Sequence, residues 1–464
     1  MARRRQLVVV ANRLPVRAVG SGRRRTWQTS PGGLVSALAP TLADRRSATW
    51  IGWAGAAGAA PDRFEHEGIS LHPVSLSRGE IQRFYEGFSN GTLWPLYHDA
   101  IAQPEFHRVW WEDYVKVNQR FAEHAADTAE SGASVWVQDY QLQLVPAMLR
   151  ELRSDVRIGF FLHIPFPARE LFMRLPWRAQ LAEGILGADL VGFQTQVAVH
   201  NFRYVLPRVT EAIVQGTSVS YAGREVEAFR CPIGIDAERF LSAAASSDVT
   251  ARAETLRRSL GDPSTVILGV DRLDYTKGID RRLLAYSELL KERRVDPADT
   301  VMIQIAEPSR SNVRNYSEIR HAVERLVGEI NGSFGIMGRP AVQYLHRSHS
   351  FEELLALYRM ADVMVVTPFR DGMNLVAKEY VACRLDDTGV LVLSEFAGAA
   401  HQLRQALLVN PYDVEGVKNA IEAAVAMSRE EQVQRMSDMR RVTLRHTAAR
   451  WADTFLDKLE SRSE

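Results

Sequence analysis

The chain has 464 residues, of which 46% are hydrophobic, 9% aromatic and 24% charged, and its formal net charge at pH 7 is +1. This length exceeds what one ordinary hydrophobic core holds, so we expect two domains of about 200 residues each. The near-neutral charge gives no electrostatic reason to expect nucleic acid or an anionic membrane as a partner. The two cysteines, Cys231 and Cys383, provide neither a disulfide framework nor a paired-cysteine metal site.

Short apolar runs alternate with longer amphipathic stretches along the whole chain. The first run, LVVVAN at residues 7–12, follows a basic lead but is too short for a signal peptide, and we predict a buried strand there. The segments between the runs, such as FEELLALYRMA, have helical periodicity. Continuous apolar strands separated by helices are typical of parallel sheets covered on both faces, so the fold class is α/β. Nine further strands are predicted in chain order, at residues 48–53, 134–139, 157–163, 190–195, 265–270, 300–306, 341–346, 362–368 and 389–394.

We place the domain boundary within residues 229–248, where a strand gives way to a Pro-Gly turn and then to small and polar residues, as in linkers. The predicted domains are residues 1–235 and residues 236–464, with the last helix able to pack back on the first domain. No run reaches the roughly 18 apolar residues of a membrane helix, so we expect a cytoplasmic protein without a membrane partner. Ligands of such sheets bind beyond the carboxyl ends of the strands, which makes the cleft between the domains the expected active site.

Cationic residues follow three of the predicted strands. Arg13 follows the first strand, Arg272 and Lys277 follow the sixth, and Arg310 follows the seventh. An arginine and a lysine five residues apart suit a diphosphate, because arginine grips phosphate in fork geometry and lysine acts as a point charge. A solvated loop is the alternative. No D-x-D, histidine cluster or other metal-ligand spacing occurs, so these cations and a helix N-terminus would have to replace a metal ion in offsetting the charge of a departing nucleotide diphosphate.

Other candidates stand in equivalent places. Gly32 and Gly33 open an apolar helical pattern, which lets backbone amides approach a phosphate, although such a pair is more often only a turn. Asp139 ends the third strand, where it could accept hydrogen bonds from sugar hydroxyls. His163 ends the fourth strand ahead of two prolines, and a buried core histidine is the alternative. Aromatic residues concentrate in the first half of the chain and could stack on sugar rings, although core packing explains most aromatics.

Ordered motifs give a more specific signal over nearly the whole chain. They include ANRLPV, PGGLVSAL, WIGWAG, FSNGTLWPLYH, VQDYQLQLVP, RIGFFLHIPFP, DLVGFQT, RLDYTKG, EPSR, ADVMVVTPFRDGMNLVAKEYVA and LVLSEFAGAA. With these motifs the chain resembles the trehalose-6-phosphate synthases, retaining glycosyltransferases of the GT-B architecture with two Rossmann-like, doubly wound parallel-sheet domains facing a cleft. The resemblance implies transfer of glucose from an NDP-glucose, with UDP- and GDP-glucose both open, to glucose 6-phosphate in trehalose biosynthesis. It implies small-molecule substrates and no metal cofactor.

The resemblance also implies residue roles. Donor binding falls to Gly32, Gly33, Arg272, Lys277, His349, Asp371, Gly372, Met373, Asn374, Leu375, Val376 and Glu379. Acceptor binding falls to Arg13, Trp53, Tyr85, Trp94, Asp139 and Arg310, and the residues at the reacting centre are His163, Arg272, Lys277 and Asp371. Asn374 is then a candidate N-cap of a helix from Leu375 whose positive end faces the phosphates. The carboxylates Asp371 and Glu379 would hold glucose and ribose rather than form an acid/base pair.

The sequence departs from the family pattern at Gln138 and Gln141, where relatives often have histidines, and this puts in doubt any role for flanking imidazoles. LDDTG at residues 385–389 is not a phosphatase motif, so we expect no fused phosphatase. A smaller phosphorylated acceptor such as glycerol 3-phosphate is the rival substrate, and a catalytically silent sugar-phosphate sensor is the rival class. Keeping Arg272, Lys277 and Asp371 favours an enzyme. Oligomeric state is open, with a homo-oligomer as one possibility.

Overall fold

The computed structural model describes residues 5–19, 26–29, 35, 38, 42, 48–310 and 314–461. The chain splits into two compact units, one formed by residues 1–233 with 448–464 and the other by residues 234–447. Gly32 and Gly33, two of the predicted donor contacts, lie outside the described residues. Among the described residues, no helix is long and apolar enough to cross a membrane.

The first unit is built on a ten-stranded sheet in the order β10-β11-β12-β9-β8-β7-β1-β4-β6-β5. Its strands are β1 (Leu7–Arg13), β4 (Ala48–Trp53), β5 (Phe64–His66), β6 (Ile69–Val74), β7 (Ser134–Gln138), β8 (Arg157–Leu162), β9 (Leu190–Phe193), β10 (Ile213–Gln215), β11 (Ser218–Tyr221) and β12 (Arg224–Arg230), and β2 (Val16–Val19) pairs separately with β3 (Thr26–Thr29). Strands β6, β4, β1, β7, β8, β9 and β12 pair in parallel, while β5, β10 and β11 are antiparallel additions at the edges. The chain runs outward in both directions from β1, so β1 and β7 flank the point where the strand order reverses.

Helices cover both faces of this sheet. They are α1 (Arg78–Glu80), a π-helix (Ile81–Leu93), α2 (Trp94–Tyr97), α3 (Arg108–Thr128), a 3₁₀ turn (Tyr140–Leu142), α4 (Val145–Leu152), α5 (Arg169–Phe172), α6 (Arg178–Leu186), α7 (Gln196–Val209) and α16 (Ala448–Glu460). A capping box starts α1, because Ser77 and Glu80 exchange side-chain and backbone hydrogen bonds. The final helix, α16, belongs to this unit: Phe455 stacks on Trp136 of β7 with ring centroids 4.5 Å apart.

The second unit has a six-stranded, fully parallel sheet in the order β15-β14-β13-β16-β17-β18. Its strands are β13 (Thr265–Arg272), β14 (Thr300–Glu307), β15 (Val342–Leu345), β16 (Val363–Val366), β17 (Val390–Ser394) and β18 (Leu407–Val409). Its helices are α8 (Ala237–Ala244), α9 (Ser247–Ser259), α10 (Ile279–Lys291), α11 (Arg314–Phe334), α12 (Phe351–Met360), α13 (Leu375–Cys383), α14 (Val414–Val425) and α15 (Arg429–Arg445), with 3₁₀ turns at Tyr275–Lys277 and Gly398–His401. The strand order reverses between β13 and β16, so ligands are expected at their carboxyl ends.

All ten predicted strands are confirmed as strands of the two sheets. One prediction about residues 229–248 is wrong: much of this segment is helical rather than a linker, because α8 and the start of α9 lie within it. The side chain of Asp236 accepts a hydrogen bond from the amide of Arg239 and caps α8. The small residues that we took for linker composition are largely alanines, which are the best helix formers.

Candidate active site

In the second unit, the loops after β13 and β16 touch at the point of strand-order reversal. The amide of Phe369 donates to the carbonyl of Thr276 over 2.8 Å. Gly278 has a φ of +62°, and a Cβ there would lie 2.4 Å from the carbonyl oxygen of Thr367. Only a glycine allows the two loops to come so close. Two loops that are far apart in the sequence are therefore in direct contact at this end of the sheet.

This contact brings Lys277 and Asp371 together. The Lys277 Nζ lies 2.5 Å from Asp371 Oδ2, and the two side chains are only 10% and 15% exposed. A nearly buried ion pair has left water and must be held in place by its surroundings. The sequence predicted both residues as donor contacts, and the structure shows that they form one charged pair. When a ligand binds, the ammonium of Lys277 is able to contact a phosphate and the carboxylate of Asp371 is able to accept hydrogen bonds from sugar hydroxyls.

The Asp371 loop is held by a second loop. The amide of Gly398 donates to the carbonyl of Asp371 over 3.2 Å, and the amide of Ala399 donates to the carbonyl of Met373 over 2.7 Å. A Cβ on Gly398 would sit 1.9 Å from the carbonyl oxygen of Gly372, so a side chain there has no room. Two glycines thus allow backbone against backbone, and the loop has little freedom to move. The fixed loop presents its amides in one arrangement.

Asn374 joins this loop to α13. It has a φ of +75°, its Oδ1 accepts from the amide of Ala377 over 3.1 Å, and its Nδ2 donates to Asp371 Oδ2 over 3.2 Å. The predicted N-cap at Asn374 and the helix from Leu375 are confirmed. The left-handed backbone of a non-glycine residue is a strained conformation that surroundings must impose. Asn374 therefore both caps the helix and orients the Asp371 carboxylate.

Glu379 lies further along α13, with a half-buried side chain. The hydroxyl of Tyr358 donates to its Oε2 over 2.9 Å. Burial raises the pKa of Glu379 to about 7, although the hydrogen bond from Tyr358 acts in the opposite direction. A carboxyl group with this pKa is close to half ionised at neutral pH, which is unusual for a glutamate. Perturbed carboxyl groups of this kind are characteristic of binding sites.

Three cations gather around one buried carboxylate beside these loops. Asp274 is 0% exposed, and its Oδ2 accepts from the hydroxyl of Tyr316 over 2.9 Å and lies 3.6 Å from Arg310 Nη1. Burial alone would raise the pKa of Asp274, but the charges of Arg310, Arg272 and Lys277 lower it to about 2. The loops after β13 and β14 therefore present three positive charges at neighbouring strand ends. This is the arrangement that a diphosphate requires.

Arg310 belongs to this second-unit cluster. The structure places it with Arg272 and Lys277, whereas Arg13 and Tyr85, its predicted companions at an acceptor phosphate, belong to the first unit. Its φ of +46° is another left-handed backbone at a predicted site residue. His349 follows β15 in the same unit, and burial followed by the charge of Arg347 lowers its pKa, which favours a neutral imidazole.

In the first unit, Arg13 at the end of β1 lies among aromatic rings. Its Cζ is 4.1 Å from the centre of the Trp53 ring and 5.5 Å from that of Tyr85. The Trp53 and Tyr85 rings meet edge to face at 5.9 Å. A Cβ on Gly55 would lie 2.5 Å from Arg13 Nη1, so the guanidinium is confined. Cation–π contacts fix its direction while its donors stay available, and the structure thus brings together three predicted acceptor residues.

The tyrosine of this group sits in the 13-residue π-helix, which ends next to Trp94. π-Helical stretches are rare and are often found at functional sites. Gly87 and Gly91 give the π-helix room against Trp110, since a Cβ on Gly87 would lie 2.7 Å from that ring. Trp94 packs 5.6 Å from the ring of Tyr140, directly after β7. Trp94 is thereby brought to the same edge of the sheet as Arg13.

Several buried polar atoms near this edge lack a hydrogen-bond partner, a feature that the sequence did not predict. Within the described part of the chain, these are Asn12 Oδ1, Ser89 Oγ, Asn90 Nδ2 and Gln138 Nε2. Asn12 lies in β1 and Gln138 in the neighbouring β7, and Asn90 Oδ1 accepts from the Tyr140 hydroxyl over 2.8 Å. Buried polar groups are nearly always paired, so these atoms are able to hydrogen-bond to water or to a ligand at this edge. The quoted motifs contain these residues, but they do not reveal which of the polar atoms are buried.

His163 and Asp139 are coupled across β7 and β8. Asp139 has a φ of +71°, and its Oδ1 accepts from the backbone amide of His163 over 3.1 Å. The His163 Nε2 lies 2.9 Å from Gln138 Oε1. Burial lowers the pKa of His163 to about 3, so its imidazole is neutral at physiological pH. Gln138 thus provides an uncharged partner that fixes the direction of the imidazole ring.

The described residues contain no group of three or more His, Cys, Asp or Glu side chains placed to hold a metal ion. The two parallel sheets reverse strand order in the same way, and each carries polar side chains at that point. One set is aromatic with a single arginine, and the other combines three cations with the polar loop that carries Asp371. Together they define a glycosyltransferase of the GT-B class.

Residues 5–461 match the model of glycosyltransferase family 20, and the chain belongs to that family. It is 54% identical over 468 residues to the trehalose-6-phosphate synthase of Mycolicibacterium smegmatis, covering 98% of this chain and 93% of the relative. It is 54% identical over 469 residues to that of Mycobacterium avium, covering 97% and 94%. The family members that it resembles are thus trehalose-6-phosphate synthases.

Solved structures give the same assignment. A trehalose-phosphate synthase of Burkholderia xenovorans, in complex with glucose-6-phosphate, superposes with a TM-score of 0.90 at 32% identity, covering 98% of this chain and 100% of the other. An E. coli protein bound with UDP-2-fluoro glucose superposes with a TM-score of 0.91 at 34% identity, covering 99% of each chain. The Burkholderia protein is described as UDP-forming.

Proposed function

We propose that this enzyme transfers glucose from UDP-glucose to the anomeric hydroxyl of glucose 6-phosphate with retention, giving trehalose 6-phosphate and UDP. The observation that carries the proposal is the set of second-unit contacts in which Lys277 pairs with Asp371 and three cations surround Asp274. This set provides positive charge for a diphosphate and a carboxylate for sugar hydroxyls within one small region. The donor base is proposed as uracil from the UDP-forming relatives.

The second unit is proposed to hold the donor. Arg272 and Lys277 contact the diphosphate, Asp371 and the amides of residues 372–376 contact the glucose, and Glu379 contacts the ribose. Gly32, Gly33 and His349 keep their proposed roles beside the diphosphate and the base. The N-terminus of α13 adds its partial positive charge to this region. These assignments rest on the loop geometry around Asn374 and Gly398.

The first unit is proposed to hold the acceptor. The guanidinium of Arg13, confined by Trp53 and Tyr85, contacts the phosphate of glucose 6-phosphate, and Trp94 lies against its sugar ring. Asp139 is held in a strained backbone conformation and contacts a sugar hydroxyl. Arg310 is proposed to contribute to phosphate binding from the second unit. Arg310 also lies near Arg272, so an experiment must decide whether it binds the acceptor phosphate or the donor diphosphate.

The proposed reaction is a front-face displacement. The bond between the anomeric carbon and the phosphate oxygen breaks, and the acceptor oxygen bonds to the same face of that carbon. The acceptor hydroxyl proton passes to the departing phosphate oxygen. Arg272 and Lys277 offset the charge on that oxygen, so that no metal ion is required in this scheme. His163 is neutral and acts as a hydrogen-bonding group near the reacting carbon rather than as an acid.

A coupled assay tests the proposal. The purified protein is incubated with UDP-, GDP- and ADP-glucose in turn, against glucose 6-phosphate and glycerol 3-phosphate as acceptors. We expect UDP release only when UDP-glucose and glucose 6-phosphate are both present. Preference for glycerol 3-phosphate would assign the rival acceptor, and no transfer from any donor, with sugar phosphate still bound, would assign a sensor.

A further inference from the structure

Arg282, in α10, is a fully buried charged side chain, 0% exposed. Its Nη1 donates to Asp271 Oδ2 over 2.8 Å and to Gln304 Oε1 over 3.0 Å. Its Nε donates to Thr367 Oγ1 over 3.1 Å. Its Nη2 makes a longer contact of 3.5 Å with the backbone carbonyl of Lys277. A guanidinium without access to water is tolerated only because its donors are paired in this way.

The partners of Arg282 come from three neighbouring strands, and those of β13 and β16 lie at or directly after the carboxyl end, whereas that of β14 lies in mid-strand. Asp271 is in β13, Gln304 is in β14, and Thr367 follows β16 directly. Predicted donor contacts follow closely on two of these partners: Arg272 ends β13, Lys277 lies in the turn after it, and Asp371 lies in the loop after β16. One side chain therefore joins the end of β13 to the residue that follows β16, with Gln304 of β14 as a third partner.

The surroundings of the guanidinium are shaped for it. A Cβ on Gly269, in β13, would lie 2.2 Å from Arg282 Nη1 and 2.5 Å from Gln304 Oε1. Any larger residue at that position would displace the guanidinium or the amide. A buried ion pair is weak evidence for stability, because well-packed apolar residues of similar volume often stabilise a fold as much or more. We therefore consider which part of the structure the ion pair of Arg282 with Asp271 holds in place.

We propose that Arg282 is a positioning residue for donor binding: it touches no substrate and holds Lys277 and the loops after β13 and β16 in the geometry that receives the diphosphate. The inference rests on the proposed function of the second unit. Lys277 is the most direct recipient, because Arg282 contacts its carbonyl while its ammonium pairs with Asp371. A displacement of about 1 Å at such a site can lower the rate about a hundredfold.

The test variant is Arg282→Lys, which keeps the positive charge but removes the planar fork. The matched control is Arg384→Lys. Arg384 is also buried, 4% exposed, but it donates to the carbonyls of Arg359, Ala361 and Thr388, near the amino ends of β16 and β17. Both variants lose a buried guanidinium from the second unit. They differ in whether the lost contacts lie at the edge that carries the ligand residues.

The measurements are the KM values for UDP-glucose and glucose 6-phosphate, kcat, the affinity for UDP by calorimetry, and the thermal midpoint. For Arg282→Lys we expect the donor KM and the UDP Kd to rise about tenfold or more and kcat to fall, with the KM of glucose 6-phosphate unchanged. For Arg384→Lys we expect a lower thermal midpoint with both KM values unchanged. Equal effects of the two variants, or an unchanged UDP Kd in Arg282→Lys, would overturn the inference.

If Arg282→Lys does not fold, Thr367→Val replaces it, because this change removes one acceptor of the guanidinium with little change of shape. It should move the donor KM and the UDP Kd in the same direction by a smaller factor, and an unchanged UDP Kd there would equally overturn the inference. Failure of the proposed function is separate, since it would show as absent transfer in the unaltered protein. If the unaltered enzyme is active and the variant has an unchanged donor KM and UDP Kd, only the role of Arg282 is refuted.

Discussion

Replacement of Lys277 by methionine removes the positive charge from the centre of the proposed donor site while keeping most of the side-chain volume. The structure places this ammonium 2.5 Å from Asp371 and within the electrostatic reach of Asp274, in a region with little exposure to water. A hydrogen-bond donor placed against the charge that develops in the transition state raises kcat by a factor of about 10²–10³. We therefore expect Lys277→Met to lose about 10²–10³ in kcat, with UDP bound more weakly.

The stability cost should be modest. Removal of one partner of a fully buried ion pair costs about 3–5 kcal/mol. Asp371 keeps the hydrogen bond from Asn374 Nδ2 and some contact with water, so we expect about 1–3 kcal/mol instead. Thermal denaturation followed by circular dichroism measures this loss. A loss of stability of this size should leave the Lys277→Met variant folded at the assay temperature.

Lys418→Met is the matched control. Lys418 is also nearly buried, 4% exposed, and pairs with Glu292 at 2.7 Å and Glu415 at 2.6 Å in the same unit. Its loss should reduce stability without changing transfer, because its partners Glu288 and Glu292 lie at the C-terminal end of α10, opposite the end that Lys277 precedes. A coupled assay of UDP release compares the two variants. Turnover of Lys277→Met within about threefold of the parent would refute the reasoning, since the mechanism asks for about a hundredfold.

Asp371→Asn should keep or improve the binding of UDP, because the substitution releases Lys277 from the Asp371 carboxylate. The binding of UDP-glucose should weaken, since the glucose loses its carboxylate contact. Calorimetry with both ligands measures the two affinities, and a similar loss of affinity for UDP and UDP-glucose would contradict this expectation. Burial raises the pKa of Glu379 from 4.5 to about 7, so between these pH values the folded chain holds a proton that the unfolded chain has released. The free energy of unfolding should therefore fall as pH rises through this window, by up to about 3 kcal/mol, and Glu379→Gln should flatten the dependence in denaturant titrations. Arg13→Ala and Arg310→Ala should each raise the KM of glucose 6-phosphate about tenfold or more, and a rise only in the donor KM for Arg310→Ala would assign it to the donor diphosphate.

Ten of the parallel strands could be predicted from the sequence because most of them are buried on both faces and therefore read as continuous apolar runs. The parallel strands β6 and β18 were not predicted, since β6 is interrupted by His72 and Pro73 and β18 has only three residues. β12, with the sequence REVEAFR, has a weaker signal because only its alternate positions are buried, and the sequence indicates only its end, ahead of the Pro-Gly turn. The hairpin strands β10 and β11 are short and mostly partly exposed, so they carry little apolar signal. The helical part of residues 229–248 shows the reverse error, in which small residues suggested a linker.

The candidate site divides in the same way. Residues within strong motifs, such as Lys277 and Asp371, could be predicted individually, but their pairing depends on a crossover between β13 and β16 that spacing does not reveal. The confinement of Arg13 by Trp53 likewise needs the parallel pairing of β1 with β4. The partners of Arg282 come from β13, from β14, from the residue after β16 and from the turn at Lys277, so no local pattern distinguishes it from the many exposed arginines.

The central claim is that the enzyme joins glucose from UDP-glucose to glucose 6-phosphate with retention. The most direct measurement follows the product by NMR spectroscopy after incubation of the purified protein with UDP-glucose labelled at the anomeric carbon. We predict trehalose 6-phosphate with both anomeric centres in the α configuration and UDP in equal amount. A β-configured label in the product, or UDP released without a new glycosidic bond, would contradict the account.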